Sequence, residues 1–325
     1  MRLKHCHNFH DFRKLAKQRL PSPIFDYIDG AADDELTCRR NSRSFEECDL
    51  VPNVLKGVSH IDMSVTVMGQ KLQMPLFCSP TALQRLFHHE GERATAGAAA
   101  KFGTMFGVSS LGTVSLEELR KIYNTPQVYQ FYFHKDRALN QVMMERAKAA
   151  GVDVMMLTVD SITGGNRERD LRNGFSIPFR LTLSGMLQFA FKPMWGINYV
   201  THESFKLPQL DDHVEMSGGA LSIGRYFTEM LEPSMNWDDV AEMVKLWDGQ
   251  FCLKGVMSVE DVKKAIDIGC TGVVLSNHGG RQLDGALSSI RMLPDIIDAV
   301  GDQIEVHFDG GIRSGQDVLK AISMG

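Results

Sequence analysis

The nonapeptide Ser276-Asn277-His278-Gly279-Gly280-Arg281-Gln282-Leu283-Asp284 sets an imidazole and a guanidinium three residues apart. An imidazole titrates near neutral pH, so it can take and return a proton under working conditions. A guanidinium presents a planar fork that grips a carboxylate at two points. Gly279 and Gly280 keep the turn open enough for backbone to approach a bound planar or anionic group. These residue types together suit proton removal from a small acid held by its carboxylate. The plain alternative for any lone histidine is a surface loop, but the neighbours here are more specific than that. Chemistry-bearing side chains recur at Asp160, Arg167, Lys254 and the run Asp309-Gly310-Gly311-Ile312-Arg313. Each has an ordinary counterpart. Asp160 can cap the loop that follows it, Arg167 sits in a charged run typical of a solvated face, and Lys254 can snorkel to water.

The elements that would position these groups read as alternating strands and helices. Gly272-Val273-Val274-Leu275, just before the nonapeptide, is a short apolar run of the kind buried on both faces of a parallel sheet. Similar runs occur at 74–79, 104–109, 127–133, 154–160, 251–254 and 304–309, which makes seven strands in all. Helical patterns such as 92–101 separate them, and residues 8–50 read as helices ahead of the first, with Asn8 to Asp11 as a cap. The expected fold class is α/β, a TIM (β/α)8 barrel with N-terminal helices. In such a barrel the carboxyl ends of the strands carry the chemistry, which is where Asp160, Lys254 and Ser276–His278 fall. The cadence Val318 to Gly325 repeats a helix-and-glycine rhythm seen before earlier strands, so strand eight is expected just beyond Gly325. By that rhythm the chain lacks at least one βα unit of roughly 30 residues, and a barrel without it keeps two unpaired edges. Residues 1–325 read as one domain, interrupted after the fourth strand by a long insertion at 174–237. Its first half is rich in large apolar residues, including Phe179, Leu181, Leu183, Met186, Leu187, Phe189, Phe191, Met194, Trp195, Ile197 and Tyr199, with Arg180 and Lys192 interleaved. It reads either as a lid over the active site or as a monotopic membrane-docking segment.

Composition narrows the classes. A formal net charge of -5, with no basic run and no stacking motif, argues against a nucleic-acid surface. The six cysteines are scattered without C-x-x-C pairs and suit a reducing, cytoplasmic compartment. Residues 1–10 show no secretory h-region, and no uninterrupted apolar run reaches about 18 residues, the length needed to span a bilayer. His88-His89 and His5-Cys6-His7 lack a third ligand, so no metal site is expected.

The nonapeptide resembles the signature of the FMN-dependent α-hydroxy-acid oxidase and dehydrogenase family, and the similarity runs in order from Tyr27 to Gly325. The resemblance implies FMN as cofactor and oxidation of an L-2-hydroxy acid to the 2-oxo acid. It casts His278 as the base, Asp160 as its partner, Arg281 and Arg167 (rather than Arg169) as the carboxylate clamp, and Tyr27 and Tyr132 as substrate contacts. Pattern alone reads Tyr27 as a core aromatic. The resemblance also implies that Pro80, Thr81, Ala82, Ser109, Gln130, Thr158 and Ser276 bind the flavin or its ribityl chain. Lys254 would lie beside the flavin N1/O2 edge, and Asp309, Gly310, Gly311 and Arg313 at the ribityl and phosphate groups. The family's Gly-Arg pair after strand eight has no counterpart in the sequence. The insertion and the run Asp284 to Pro294 look most like bacterial respiratory L-lactate dehydrogenases, with mandelate dehydrogenase close behind. Electrons would then pass to quinone or a cytochrome, at a peripheral site on the inner face of the plasma membrane, in a homo-oligomer, a tetramer by resemblance. Competing expectations are an oxidase using oxygen and, from another class, a non-catalytic truncated fragment.

Overall fold

The inward-facing residues of each strand change character along its length, and that change builds the fold. The computed structural model describes residues 2–173, 188–210 and 229–325. Strands β3 (Phe106–Ser109), β4 (Gln127–Phe131), β5 (Val154–Thr158), β6 (Gln250–Val256), β7 (Gly272–Leu275) and β8 (Glu305–Phe308) form a six-stranded parallel sheet in chain order. Side chains alternate between faces along a strand. One set, with Tyr129, Phe131, Met155, Leu157, Phe251, Leu253, Val273 and Leu275, packs into the main core with residues from the surrounding helices. The other set holds Val128, Val154, Met156, Cys252 and Val274 in a second cluster. Two residues further along the same face come Gln130, Thr158, Lys254 and Ser276, all polar and all buried. The interior is therefore apolar at the amino ends of the strands and polar at the carboxyl ends.

The apolar end is closed by a hairpin that periodicity did not reveal, β1 (Val65–Val67) with β2 (Gln70–Leu72). Its turn has Met68 at φ 44 and Gly69 at φ 74, the left-handed pair that two-residue hairpins use. Met68 is fully buried against Val67, Leu72 and the inward residues above, and its N–H donates to Glu305 Oε2 at 2.7 Å.

The expected first strand, 74–79, is reduced to one parallel bridge, Cys78 to Phe106. Pro75 and Pro80 flank it and cannot donate a ladder hydrogen bond, which leaves Cys78 N to Met105 O (3.0 Å) and Gly107 N to Cys78 O (2.8 Å). The other six expected strands appear, with ends shifted by a few residues.

The N-terminal helices fall as expected. Helix α1 (Phe9–Arg19) is capped by the Asn8 side chain, which accepts from Asp11 N. Helix α2 (Ser22–Asp29) carries Tyr27 on its buried face, and α3 (Leu36–Arg43) packs against the 278–280 turn. Helix α4 (Gln84–Phe87) follows the first bridge. Within the insertion, α5 (Pro193–Thr201) is described, whereas Phe179, Arg180, Leu181, Leu183, Met186 and Leu187 lie outside the described residues.

Candidate active site

Strand register assembles the polar rim. The β3–β4 pairing sets Ser109 beside Gln130, and the β5–β6 pairing sets Thr158 beside Lys254. Ser109 Oγ donates to Gln130 Oε1 at 3.0 Å, and Gln130 Nε2 donates to Thr158 Oγ1 at 2.9 Å. Lys254 Nζ lies 2.8 Å from Ser276 Oγ and 2.8 Å from Asp309 Oδ2, which also accepts from Ser79 Oγ at 2.9 Å. Burial works against both charges of this pair. The Asp309 and Asp160 carboxylates nonetheless hold Lys254 above its ordinary pKa, and Lys254 holds Asp309 below the usual carboxylate range. Lys254 does not snorkel.

His278 opens the turn after β7. Three consecutive residues, His278, Gly279 and Gly280, have positive φ (55°, 66° and 76°). For His278 that conformation costs about 1–2 kcal/mol. At Gly280 a side chain is barred, because a Cβ there would stand 2.5 Å from Cys38 N on α3. The turn is fixed from behind by a buried amide pair, Asn41 Nδ2 to Asn277 Oδ1 (2.8 Å) and Asn277 Nδ2 to Asn41 Oδ1 (2.7 Å). Asp284 accepts from Thr37 N (2.7 Å) and Leu36 N (3.2 Å), where a carboxylate meets the start of α3. The nonapeptide is thus anchored to α3 at both ends.

His278 Nδ1 lies 2.9 Å from Asp160 Oδ1. Burial pushes the Asp160 carboxyl up, but His278, Lys254 and the Ser161 hydroxyl outweigh it and keep Asp160 anionic. With Nδ1–H given to that carboxylate, the lone pair of the neutral ring is on Nε2. Arg281 Nη1 donates to Tyr27 O and Gly30 O, both at 2.7 Å, and the Arg281 and Arg167 guanidiniums each stand 5.1 Å from the Tyr27 ring centroid. Arg167 Nε also pairs with Asp170 Oδ2 at 3.0 Å. Arg169 instead reaches Asp29 and Glu35 at 3.1 and 2.6 Å, away from the Tyr27 ring. Tyr132 is buried, and burial first, then Asp160 and Tyr27, keep its phenol protonated well above its ordinary range.

Two groups of the 309–313 run also make contacts of their own. At Gly311 a Cβ would stand 2.0 Å from Asn41 O, so the packing of α3 by itself demands glycine there. Arg313 is exposed, lies 4.3 Å from the Phe9 ring centroid and donates to its own neighbour Ile312 O. Pro80 and Ala82 are part-buried at the end of the first bridge, and the exposed Thr81 accepts from Gln84 Nε2 at 2.8 Å.

Sequence reasoning missed Ser161 and Gln282. Ser161 Oγ lies 3.0 Å from Asp160 Oδ1 and 3.3 Å from His278 Nδ1, and it accepts from Gln282 Nε2 at 2.6 Å. Gln282 Oε1 in turn accepts from Gly165 N at 2.7 Å. Gln282 therefore ties the two loops that carry His278 and Arg167. Its place in the nonapeptide was the only signal. Ser161→Ala is expected to lower kcat/KM about tenfold or more, the worth of a hydrogen bond to a charged group, with little change in melting temperature. Steady-state kinetics beside a thermal melt check this, and unchanged kinetics would remove Ser161 from the base's support.

The rim suits a flavin mononucleotide. Ser109, Gln130, Thr158 and Ser276 offer buried donors and acceptors for a polar heterocycle, and Lys254 offers the cation that stabilises negative charge on its reduction. Asp309 Oδ1 is buried without a hydrogen-bond partner, an acceptor where a ribityl hydroxyl would donate. Among the described residues no group of three His, Cys, Asp or Glu is arranged to hold a metal ion.

The family model described as FMN-dependent dehydrogenase matches residues 16–325. An L-lactate oxidase from Nostoc sp. is 40% identical over 98% of this chain and 83% of its own length. An L-lactate dehydrogenase from Caulobacter vibrioides is 38% identical over 97% of this chain and 82% of its own. Among solved structures, the monotopic membrane protein (S)-mandelate dehydrogenase superposes with a TM-score of 0.91 at 33% identity, covering 99% of this chain and 85% of that one. The chain belongs to the FMN-dependent dehydrogenase family: it is an FMN oxidoreductase of the 2-hydroxy-acid dehydrogenase and oxidase group.

Proposed function

We propose that the protein oxidises L-lactate to pyruvate and passes the electrons to a quinone or cytochrome. The observation that carries the catalytic part is the His278–Asp160 pair at 2.9 Å, adjoining the Lys254 rim and the two guanidiniums over Tyr27. FMN, when bound, supplies the two-electron sink. His278 Nε2 accepts a proton from the bound hydroxy acid, and Asp160 stabilises the imidazolium that results. Arg281 and Arg167 hold the substrate carboxylate, and the Tyr27 and Tyr132 side chains orient the acid between them. In this reading Pro80, Thr81, Ala82, Ser109, Gln130, Thr158, Lys254 and Ser276 contact the flavin and ribityl chain, and Asp309 to Arg313 the ribityl and phosphate. Residues 1–325 act as one catalytic unit, with 174–237 inserted into it.

Lactate is favoured because two of the relatives named above carry that name. A larger hydroxy acid such as mandelate is the second reading. It is favoured by the apolar lining of a shallow cleft beside Tyr132 and Ser161, made by Phe133, Ile162, Leu231 and Met235. The test is anaerobic bleaching of the flavin spectrum by a panel of 2-hydroxy acids. L-lactate is expected to bleach it fastest. Faster bleaching by L-mandelate selects the second reading, and bleaching by neither removes both.

The outer face of α5 supports peripheral membrane contact. Met194, Ile197 and Val200, at helical spacing, are 68%, 52% and 80% exposed, with Phe191 beside them. Among the described residues no helix is long and apolar enough to cross a membrane. We place the enzyme on the cytoplasmic face of the plasma membrane, as a homo-oligomer.

A further inference from the structure

The chemistry above releases two electrons that must leave the protein, and a second cleft lies behind the substrate site. It lies open to solvent between the segment 85–89 and helix α5 with the residues after it. Its walls include Phe87, His89, Trp195, Tyr199 and His202. Trp195 stacks on Tyr199 with ring centroids 5.1 Å apart, and its Nε1–H donates to Leu86 O at 2.9 Å, which pins the wall in place. His89 stacks between His88 (4.4 Å) and His202 (4.0 Å).

The occupant is constrained by charge. Arg85 is the buried cation of the cleft, and its guanidinium is spent on the carbonyls of His89, Glu203 and Ser204. It braces the wall rather than presenting a fork to an anion. Glu203 at the rim repels a carboxylate further. A flat, neutral molecule with carbonyl acceptors suits the aromatic walls and the imidazole of His89, the His202 Nδ1–H being given to Asn198 O at 2.8 Å.

Location narrows it again. Phe87, which lines the cleft, stacks on Tyr27 at 6.3 Å with rings 16° apart, and Tyr27 is the ring beneath Arg167 and Arg281. On its other side the cleft is walled by α5, the helix whose outer face carries the exposed apolar stripe. A lipid-borne molecule arriving along that stripe would meet this cleft.

From this we infer that the cleft between α4 and α5 is the electron-acceptor site, and that it takes the ring of a benzoquinone. The inference rests on the hydroxy-acid reading above. Oxidation of the hydroxy acid to the oxo acid releases two electrons and two protons. The quinone takes up two of each and leaves as the hydroquinone, which balances the turnover without a further reactant.

The test uses the full chain with its flavin and a short-chain methoxybenzoquinone, in two separate measurements. Quinone binding is read without hydroxy acid, by quenching of tryptophan fluorescence. Flavin bleaching by L-lactate is read anaerobically without quinone. Saturable quenching is expected, with the Kd raised at least about tenfold in His202→Leu/Tyr199→Leu and the bleaching rate unaltered by those changes. Trp195→Phe should remove most of the quenching. Quenching that never saturates, or a Kd equal in wild type and double variant, overturns the site. Loss of bleaching in the wild type instead overturns the hydroxy-acid reading, whatever the quinone does.

Discussion

His278→Gln is expected to lower kcat by about 10²–10⁴-fold, the usual worth of a general base, while the purified protein keeps its flavin colour. The glutamine amide can still donate to Asp160, so the buried carboxylate keeps a partner and the turn keeps its anchor through Asn41 and Asn277. What it cannot do is accept a proton at neutral pH. Stopped-flow bleaching of the bound flavin by L-lactate separates these effects: the amplitude survives and the rate collapses. A variant that bleaches at the wild-type rate would mean that another group takes the proton. A variant that purifies colourless would mean that His278 holds the cofactor.

Lys254→Met should give the largest loss of stability among rim substitutions, about 3–5 kcal/mol, because it strands a charge inside the fold. Asp309 Oδ2 would be left with the Ser79 and Ser276 hydroxyls in place of a cation at 2.8 Å. The sign with pH follows from the two shifts. Asp309 is held below its ordinary pKa, so its contribution is present at neutral pH and is lost as pH falls through the folded value. Lys254 is held above its ordinary pKa, so its contribution is lost only as pH rises through that higher value. The deficit of Lys254→Met should therefore be full at neutral pH and narrow on acidification, as the stranded carboxyl takes up a proton. Adding Asp309→Asn should restore part of the stability, since neither charge then remains. Urea unfolding of the wild type and the two variants at two pH values checks this. A deficit independent of pH would show that packing, not charge, was lost.

Much of the site could be read from residue order because the barrel interior follows a period of two. Val154, Met156, Thr158 and Asp160 alternate inward along β5 and its exit, and the change from apolar to hydroxyl to carboxylate is visible in the letters themselves. The same holds for Cys252 and Lys254. Other features depended on contacts between distant segments. The Asn41–Asn277 pair joins residues 236 positions apart, and nothing in Thr37-Cys38-Arg39-Arg40-Asn41 marks a partner for the histidine turn. The hairpin β1–β2 was missed because three-residue strands are too short to show alternation, although Met68-Gly69 is a fair turn signal. Residues 74–79 are apolar enough to suggest a strand, but Pro75 and Pro80 withhold ladder donors and only the Cys78 bridge forms.

The hairpin carries a consequence for traffic. With Met68 plugging the amino-terminal end, the polar rim is reached from the carboxyl ends of the strands. Reactant and oxidised acid therefore approach and leave His278 on the same side of the sheet. The oxo acid, which keeps the carboxylate, then competes for the same Arg281 and Arg167 clamp, to a degree set by its own affinity.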